Sequence, residues 1–228
     1  EFNTVPDKLR DTLAELSPPF KAFKDLPGDA YAISTKINTK KGSERIIRAA
    51  FEFAQKFGRK KVTVVHKANV VRATDGLFLE TAKQVAKDFP GIALDDANID
   101  AMTMWLLKNP FNYDVLVAPN LYGDIISDLC AQMVGGLGFG CSGNIGEKLA
   151  GFEPTHGSAP KYAGQYKVTP LATILAAKMM LDWLGETAAA AKIEKAVAAV
   201  VAEGKVRTYD MGGSAKTLEM AEAVAAKL

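Results

Sequence analysis

Two carboxylates four residues apart, Asp124 and Asp128, stand in the stretch Asn120-Leu121-Tyr122-Gly123-Asp124-Ile125-Ile126-Ser127-Asp128. It follows an apolar run, Asp114-Val115-Leu116-Val117-Ala118-Pro119, that reads as a short buried strand, and it opens a helix expected over 125–134. On a helix, side chains four apart lie one above the other on one face. Carboxylates so placed repel unless something positive sits between them, and a hard divalent cation with oxygen ligands is the natural occupant. The same spacing also fits a helix N-terminus, with Asp124 as a first-turn acid favoured by the dipole and Asp128 solvated. Spacing alone favours this second arrangement, because acidic pairs are common on exposed helix faces.

The rest of the chain must position these groups. Its 228 residues can bury a substantial core as one large or two smaller domains. Hydrophobic residues make up 48% and charged residues 24%, a globular balance rather than a disordered one. The net charge of +2 gives no reason to expect nucleic acid or an anionic membrane as partner. No apolar stretch is long enough to span a bilayer. Cys130 and Cys141 form neither a metal-ligand spacing nor a disulfide framework, which suits a reducing, cytoplasmic compartment. The chain starts Glu1-Phe2-Asn3, with neither an initiator methionine nor a signal or transit sequence. It therefore reads as processed or as a piece of something longer, and its start says nothing about organellar targeting.

Along the chain, residues 1–40 are irregular, punctuated by Pro6, Pro18, Pro19 and Pro27-Gly28. A short helix is expected over 7–16 with Leu9, Leu13 and Leu16 on its apolar face, and 31–37 alternates like a strand. Ser43 reads as the cap of a helix in which Ile46, Ile47, Ala50, Phe51, Ala54 and Phe57 recur at helical spacing until Gly58 stops it. A β-branched strand follows over 61–66, and Lys67 and Asn69 leave its carboxyl end. Further elements are a helix over 76–88, a strand over 92–94, a helix over 98–107 and the strand over 114–118. This alternation predicts an α/β sandwich with its ligand groups beyond the strand ends. Lys67, Asn69, Asp124 and Asp128 all fall there, and Asp100 sits near the start of another post-strand helix. His66 points the opposite way from Lys67 along its strand and is read as structural.

From Gly135 the texture changes. The glycine-rich run 135–143 follows a helix and opens none, so it is a flexible connector and a plausible domain boundary rather than a dinucleotide fingerprint. Residues 153–164, Glu153-Pro154-Thr155-His156-Gly157-Ser158-Ala159-Pro160-Lys161-Tyr162-Ala163-Gly164, have the composition of a loop whose amides approach a ligand. Three helices are expected to close the chain, over 170–184, 187–203 and 215–227. Cys130 reads as helix core and Cys141 as a loop thiol without a partner.

Four pieces are specific when taken together: Val65-His66-Lys67-Ala68-Asn69, Asn98-Ile99-Asp100, Asn120 to Asp128 with Gly135-Gly136-Leu137-Gly138, and Thr155 to Gly164. In this order they resemble the isocitrate and isopropylmalate dehydrogenase family, the metal-dependent β-decarboxylating dehydrogenases. The likeness runs from end to end and is nearest to the NADP-dependent isocitrate members. It implies an α/β fold that is not the Rossmann type, with a large domain, a smaller domain and a clasp interlocking two subunits. On that template residues 1–39 are clasp, 40–134 the small domain and 135–228 the C-terminal part of the large domain. Glu1-Phe2 resembles the residues just after the family's active-site tyrosine. That tyrosine, the substrate-gripping arginines and the first part of the large domain would then lie upstream.

The resemblance also implies roles. Lys67 is the lysine that handles the proton of the substrate hydroxyl, and Asn69 contacts substrate and nicotinamide ribose. Asp100, Asp124 and Asp128 are the Mg²⁺ or Mn²⁺ carboxylates, with Asp100 supplied by the opposite subunit of a homodimer whose active sites are shared. Asp100 thereby counts with Lys67 among the catalytic residues. The cofactor side comprises Glu153, His156, Gly157, Ser158, Ala159, Pro160, Lys161, Tyr162, Val168, Thr169 and Tyr209 beside Asn69. The Lys161-Tyr162 pair suits a 2′-phosphate, whereas an acid there would accept the ribose hydroxyls of NAD. Two departures stand out: Thr169 replaces an adenine-contacting asparagine, and Gly213 replaces a phosphate-binding arginine of some NADP members. NAD use beside NADP is accordingly left open.

The expected activity is oxidative decarboxylation of isocitrate to 2-oxoglutarate, the step of the tricarboxylic acid cycle. The alternatives are turnover of isopropylmalate, homoisocitrate or tartrate, or a non-catalytic regulatory subunit. The 228-residue chain alone is expected to be inactive, with turnover restored on adding the upstream segment. Reduced-cofactor absorbance with isocitrate and Mn²⁺ checks this.

Overall fold

The computed structural model describes every residue from Glu1 to Leu228. The backbone packs as two compact units, one of Glu1–Ile99 with Phe111–Pro119, the other of Asp100–Pro110 with Asn120–Leu228.

The first unit begins with helix α1, Asp7–Leu16, whose Ala14 is buried while Leu16 faces solvent. The strand expected over 31–37 does not form. Only Ile33 bridges, exchanging main-chain hydrogen bonds with Phe2 at 2.9 and 3.0 Å. Tyr31 instead packs its ring 6.0 Å from Phe20 and 6.3 Å from Phe23, and Ile37 is exposed, so the alternation serves no sheet face. Helix α2, Lys40–Lys56, starts three residues before the expected cap: the Thr39 side chain accepts from the Gly42 N–H, and Ser43 is buried inside the helix. Its inward face, Ile47, Phe51 and Ala54, is fully buried.

Strand β1, Lys61–His66, is the centre of a parallel sheet ordered β2-β1-β3, with β2 at Ala93–Asn98 and β3 at Val115–Val117. β2 is longer than the expected 92–94 and pairs with β1 along its whole length, from Lys61 with Ala93 to His66 with Asn98. Helix α3, Arg72–Val85, starts four residues earlier than expected and is continued by a 3₁₀ turn at Ala86–Asp88. α2 and α3 cover the sheet, burying Val62, Val64 and Val117 against Ile47, Phe51, Phe78 and Ala82. Because the three strands run parallel, their carboxyl ends share one edge, and Lys67 emerges from the middle of it.

The second unit holds helix α4, from Ile99 into Asp100–Lys108, and helix α5, Asn120–Met133. α5 starts five residues before the expected position, which places Asp124 in the second turn and removes the first-turn dipole reading. Gly135 and Gly136, at φ of +119° and +99°, end that helix. The glycine-rich run then becomes strand β4, Cys141–Ile145, which forms an antiparallel hairpin with β5, Ala150–Pro154. Cys141 is thus a strand residue with Sγ 3.3 Å from Met179 Sδ, and burial pushes its thiol and that of Cys130 up. Helices α6, Leu171–Trp183, α7, Thr187–Glu203, and α8, Thr217–Ala225, bury Leu171, Val197, Val200 and Met220 together.

Thr63 in β1 is fully buried and its hydroxyl has no hydrogen-bond partner. Thr63→Val keeps the shape and removes the unsatisfied group. It should stabilise the fold by about 1–3 kcal/mol, read from denaturant unfolding.

Candidate active site

Both main-chain groups of Lys67 are held. β3 pairs no further along β1 than Val64, and β2 ends opposite His66, so the Lys67 N–H lies beyond both ladders. It donates instead to Asp75 Oδ2 at 2.8 Å. The Lys67 carbonyl accepts from the N–H groups of Val70 and Val71 at 2.9 and 2.8 Å, closing the turn into α3. On the flanks, the Ala68 N–H donates to His66 Nδ1 at 3.0 Å. That bond leaves the proton of a neutral His66 on Nε2, which faces Asp96 Oδ2 at 2.9 Å. His66 is therefore structural, as its strand position implied. Asn69 is exposed in the turn.

The three candidate metal carboxylates lie in the second unit. Asp124 and Asp128 are exposed on α5, each two residues from the buried Ile126, and so project from the opposite side of the helix. Asp100 is exposed in the first turn of α4, two residues beyond the end of β2. Within one chain no group of three or more His, Cys, Asp or Glu is placed to hold a metal ion. The pair on α5 fits part of a hard cation's shell: two oxygen donors on one helix face, open to solvent.

The proposed cofactor segment gathers around one cavity of about 230 Å³, lined by Gly138, His156, Gly157, Ser158, Ala159, Tyr162, Ala163, Val168, Thr169 and Asp210. Ala159 takes φ +43°, a left-handed conformation unusual for a residue with a Cβ, and it leads into the 3₁₀ turn Pro160–Tyr162. Thr169 is 4% exposed and its hydroxyl has no partner. A buried orphan hydroxyl on a cavity wall fits a ligand carrying donors and acceptors, such as an adenine ring. Pro160, Lys161 and Tyr209 stand beside this lining rather than in it, and Glu153 lies on β5 with its carboxylate accepting from Asn144 Nδ2 at 2.9 Å.

Two residues here escaped the sequence reading. Asp210 accepts from the Thr169 N–H at 3.0 Å and from the Thr208 hydroxyl at 2.6 Å, tying residues 41 apart in sequence. Lys167 Nζ sits 4.8 Å from the ring centroids of both Tyr162 and Tyr209, while Lys161 Nζ also stands 4.8 Å from the Tyr162 ring. No local spacing announces either arrangement, since both depend on the 208–215 loop folding back on 166–169.

Residues 20–224 match the isocitrate/isopropylmalate dehydrogenases. The chain belongs to this family. It is 50% identical to a 3-isopropylmalate dehydrogenase of Archaeoglobus fulgidus, over 85% of this chain and 59% of that relative. It is 52% identical to an isocitrate/homoisocitrate dehydrogenase of Thermus thermophilus, over 85% of this chain and 58% of that one. With an isocitrate dehydrogenase structure from Methylococcus capsulatus it shares 47% identity and a TM-score of 0.83, covering 86% of this chain and 58% of the other. The chain thus spans under two thirds of the length of these relatives. The expected α/β dehydrogenase fold is confirmed at this level.

Gly213, where some NADP members of the family carry an arginine, sits at a close approach of the backbone. A Cβ at that position would lie 2.0 Å from the Arg207 carbonyl oxygen, because the Ala215 N–H donates to that same oxygen and pulls the strands of the loop together. Gly213→Arg should lower the thermal unfolding midpoint by several degrees, the signature of about 1–3 kcal/mol of overpacking.

Proposed function

We propose that the protein carrying this chain is an NADP-dependent isocitrate dehydrogenase that needs Mg²⁺ or Mn²⁺. The observation that carries the reading is the pinned Lys67 at the carboxyl edge of the sheet, combined with Asp124 and Asp128 projecting together from α5. In this reading two copies share each active site, and Asp100 of one copy joins Asp124 and Asp128 of the other. Residues 1–39 belong to the clasp between copies, 40–134 to the small domain and 135–228 to the large domain. The unpaired Cys130 and Cys141 suit a cytoplasmic setting.

When bound, the divalent cation supplies Lewis-acid polarisation of the substrate oxygen, and the nicotinamide supplies the hydride acceptor. The protein's part is placement and proton handling. Asp124 and Asp128 would hold the cation beside the substrate. Lys67 takes the hydroxyl proton as the alcohol is oxidised, with Asn69 orienting the substrate beside it. The cavity at His156–Thr169 would receive the adenosine end, with the unpartnered Thr169 hydroxyl toward the base, and Lys161, beside the lining, would join Tyr162 in meeting the 2′-phosphate.

Other readings have specific support. The Archaeoglobus relative is named for isopropylmalate and the Thermus relative for homoisocitrate beside isocitrate. A Dictyostelium discoideum relative, 45% identical, is named a regulatory subunit of NAD-dependent isocitrate dehydrogenase, and a Drosophila melanogaster relative, 46% identical, is named a probable alpha subunit of the NAD-dependent enzyme.

Initial rates with isocitrate, isopropylmalate, homoisocitrate and tartrate, each with NADP and with NAD, decide among them. We expect isocitrate with NADP to give the highest kcat/KM, and chelation of the divalent cation to abolish turnover. Asp124→Asn should lower kcat/KM at least about 100-fold, since it weakens the hold on that cation. Lys161→Gln should lower kcat/KM for NADP about 10- to 100-fold, the loss of one charge-assisted bond, and leave NAD nearly unchanged.

A further inference from the structure

We infer that Asp75 is a positioning residue for Lys67, and that Lys36 completes it. The inference rests on Lys67 being the proton-handling lysine. Asp75 is fully buried in the first turn of α3, a place where an isolated carboxylate would be costly. Its two oxygens are divided between two tasks. Oδ2 accepts the Lys67 N–H at 2.8 Å, and Oδ1 meets the Lys36 ammonium at 2.5 Å. The Thr74 hydroxyl also reaches Oδ1, at 3.2 Å.

A residue one step past a central strand has a main-chain N–H that the ladder cannot satisfy, and here the register shows that neither neighbour continues. Without Asp75 that N–H loses its 2.8 Å acceptor, and the turn is held from the Lys67 carbonyl side. With it, the N–H and the carbonyl of Lys67 are fixed from opposite sides, which sets the direction of its Cα–Cβ bond. A long side chain carries any rotation at its root out to its tip, and a misplacement of about 1 Å at a reacting group costs roughly 100-fold in rate.

Lys36 gives the arrangement a second anchor. It lies in the irregular segment before α2, and two residues on, Asn38 Nδ2 donates to the Thr74 carbonyl at 3.1 Å. Lys36 and Asn38 together dock that segment on the first turn of α3. The Lys36 ammonium gives the buried carboxylate a partner of opposite charge on Oδ1 and so holds Oδ2 toward the Lys67 N–H. The segment thereby joins the machinery that aims Lys67 without touching substrate itself.

The test uses Asp75→Asn and Lys36→Met in the complete enzyme, with Lys67→Ala as reference background. Lys36 is partly exposed, so Lys36→Met tests the same link where the buried variant fails to fold. Each variant should lower kcat about 10- to 100-fold with KM for the hydroxy acid within about threefold. In the Lys67→Ala background neither should cause further loss. An equal loss in both backgrounds, or kcat within twofold of the parent, overturns the inference. A readout independent of turnover is the rate at which an amine-directed reagent labels Lys67, followed by peptide mass spectrometry. It should change at least threefold in Asp75→Asn with Lys161 labelling unchanged, and identical Lys67 labelling would overturn the inference even if the substrate assignment were wrong. If the parent oxidises none of the four hydroxy acids while Lys67 labelling changes as expected, the proposed function fails and the positioning role stands.

Discussion

The carboxyl end of a parallel strand is a place where main-chain hydrogen bonding runs out, and the fold of the first unit is arranged around supplying it from elsewhere. β1 is the central strand, paired on both sides, so its interior is satisfied by the sheet and sealed by α2 and α3. At Lys67 that supply stops. A buried carboxylate from the next helix takes over, and a histidine ring from the strand's last residue does the same for Ala68. The chain therefore leaves the sheet along one path, and the side chains presented there inherit their directions from main-chain bonds.

The second unit meets a comparable demand differently. Its cavity is built from loops, where no ladder fixes the backbone. Asp210 substitutes by binding the Thr169 N–H and the Thr208 hydroxyl, while the Thr217 hydroxyl donates to the Val168 carbonyl at 2.6 Å. Close approaches complete the frame: a Cβ on Gly138 would lie 2.5 Å from Thr169 Cγ2 and 2.7 Å from Asp210 Oδ2. A loop cavity held this way can leave one hydroxyl unsatisfied, as at Thr169, because the surrounding bonds keep the wall in place without it.

The sequence was most legible where a single local rule governs. The β-branched run at 61–66 and the alanine-rich helix at 187–203 appear at the expected residues, because strand and helix propensity act there without opposition. Residues 31–37 misled because alternation announces a pleat only where a neighbour strand exists, and Tyr31 packs on Phe20 and Phe23 instead. The hairpin at 141–154 was hidden by glycine: Gly143 and Gly151 weaken any strand signal, yet Gly143 allows the Phe152 ring to lie within 3.2 Å of where a Cβ would be. The candidate site was legible as motifs, Lys67 with Asn69, Asp124 with Asp128, and the run from His156 to Tyr162. Asp75, Asp210 and Lys167 were not, since each acts on a residue brought near only by the folded chain.

Lys167 carries one more consequence. Its ammonium is flanked by two phenol rings, Tyr162 and Tyr209, whose centroids are 6.2 Å apart. Aromatic faces attract a cation without neutralising its formal charge, whereas a carboxylate would cancel it. The two contacts favour rotamers that keep the ammonium beside the rings, so part of the freedom a lysine normally surrenders on meeting an anion is given up during folding. A surface lysine would have to lose that freedom at the moment of encounter.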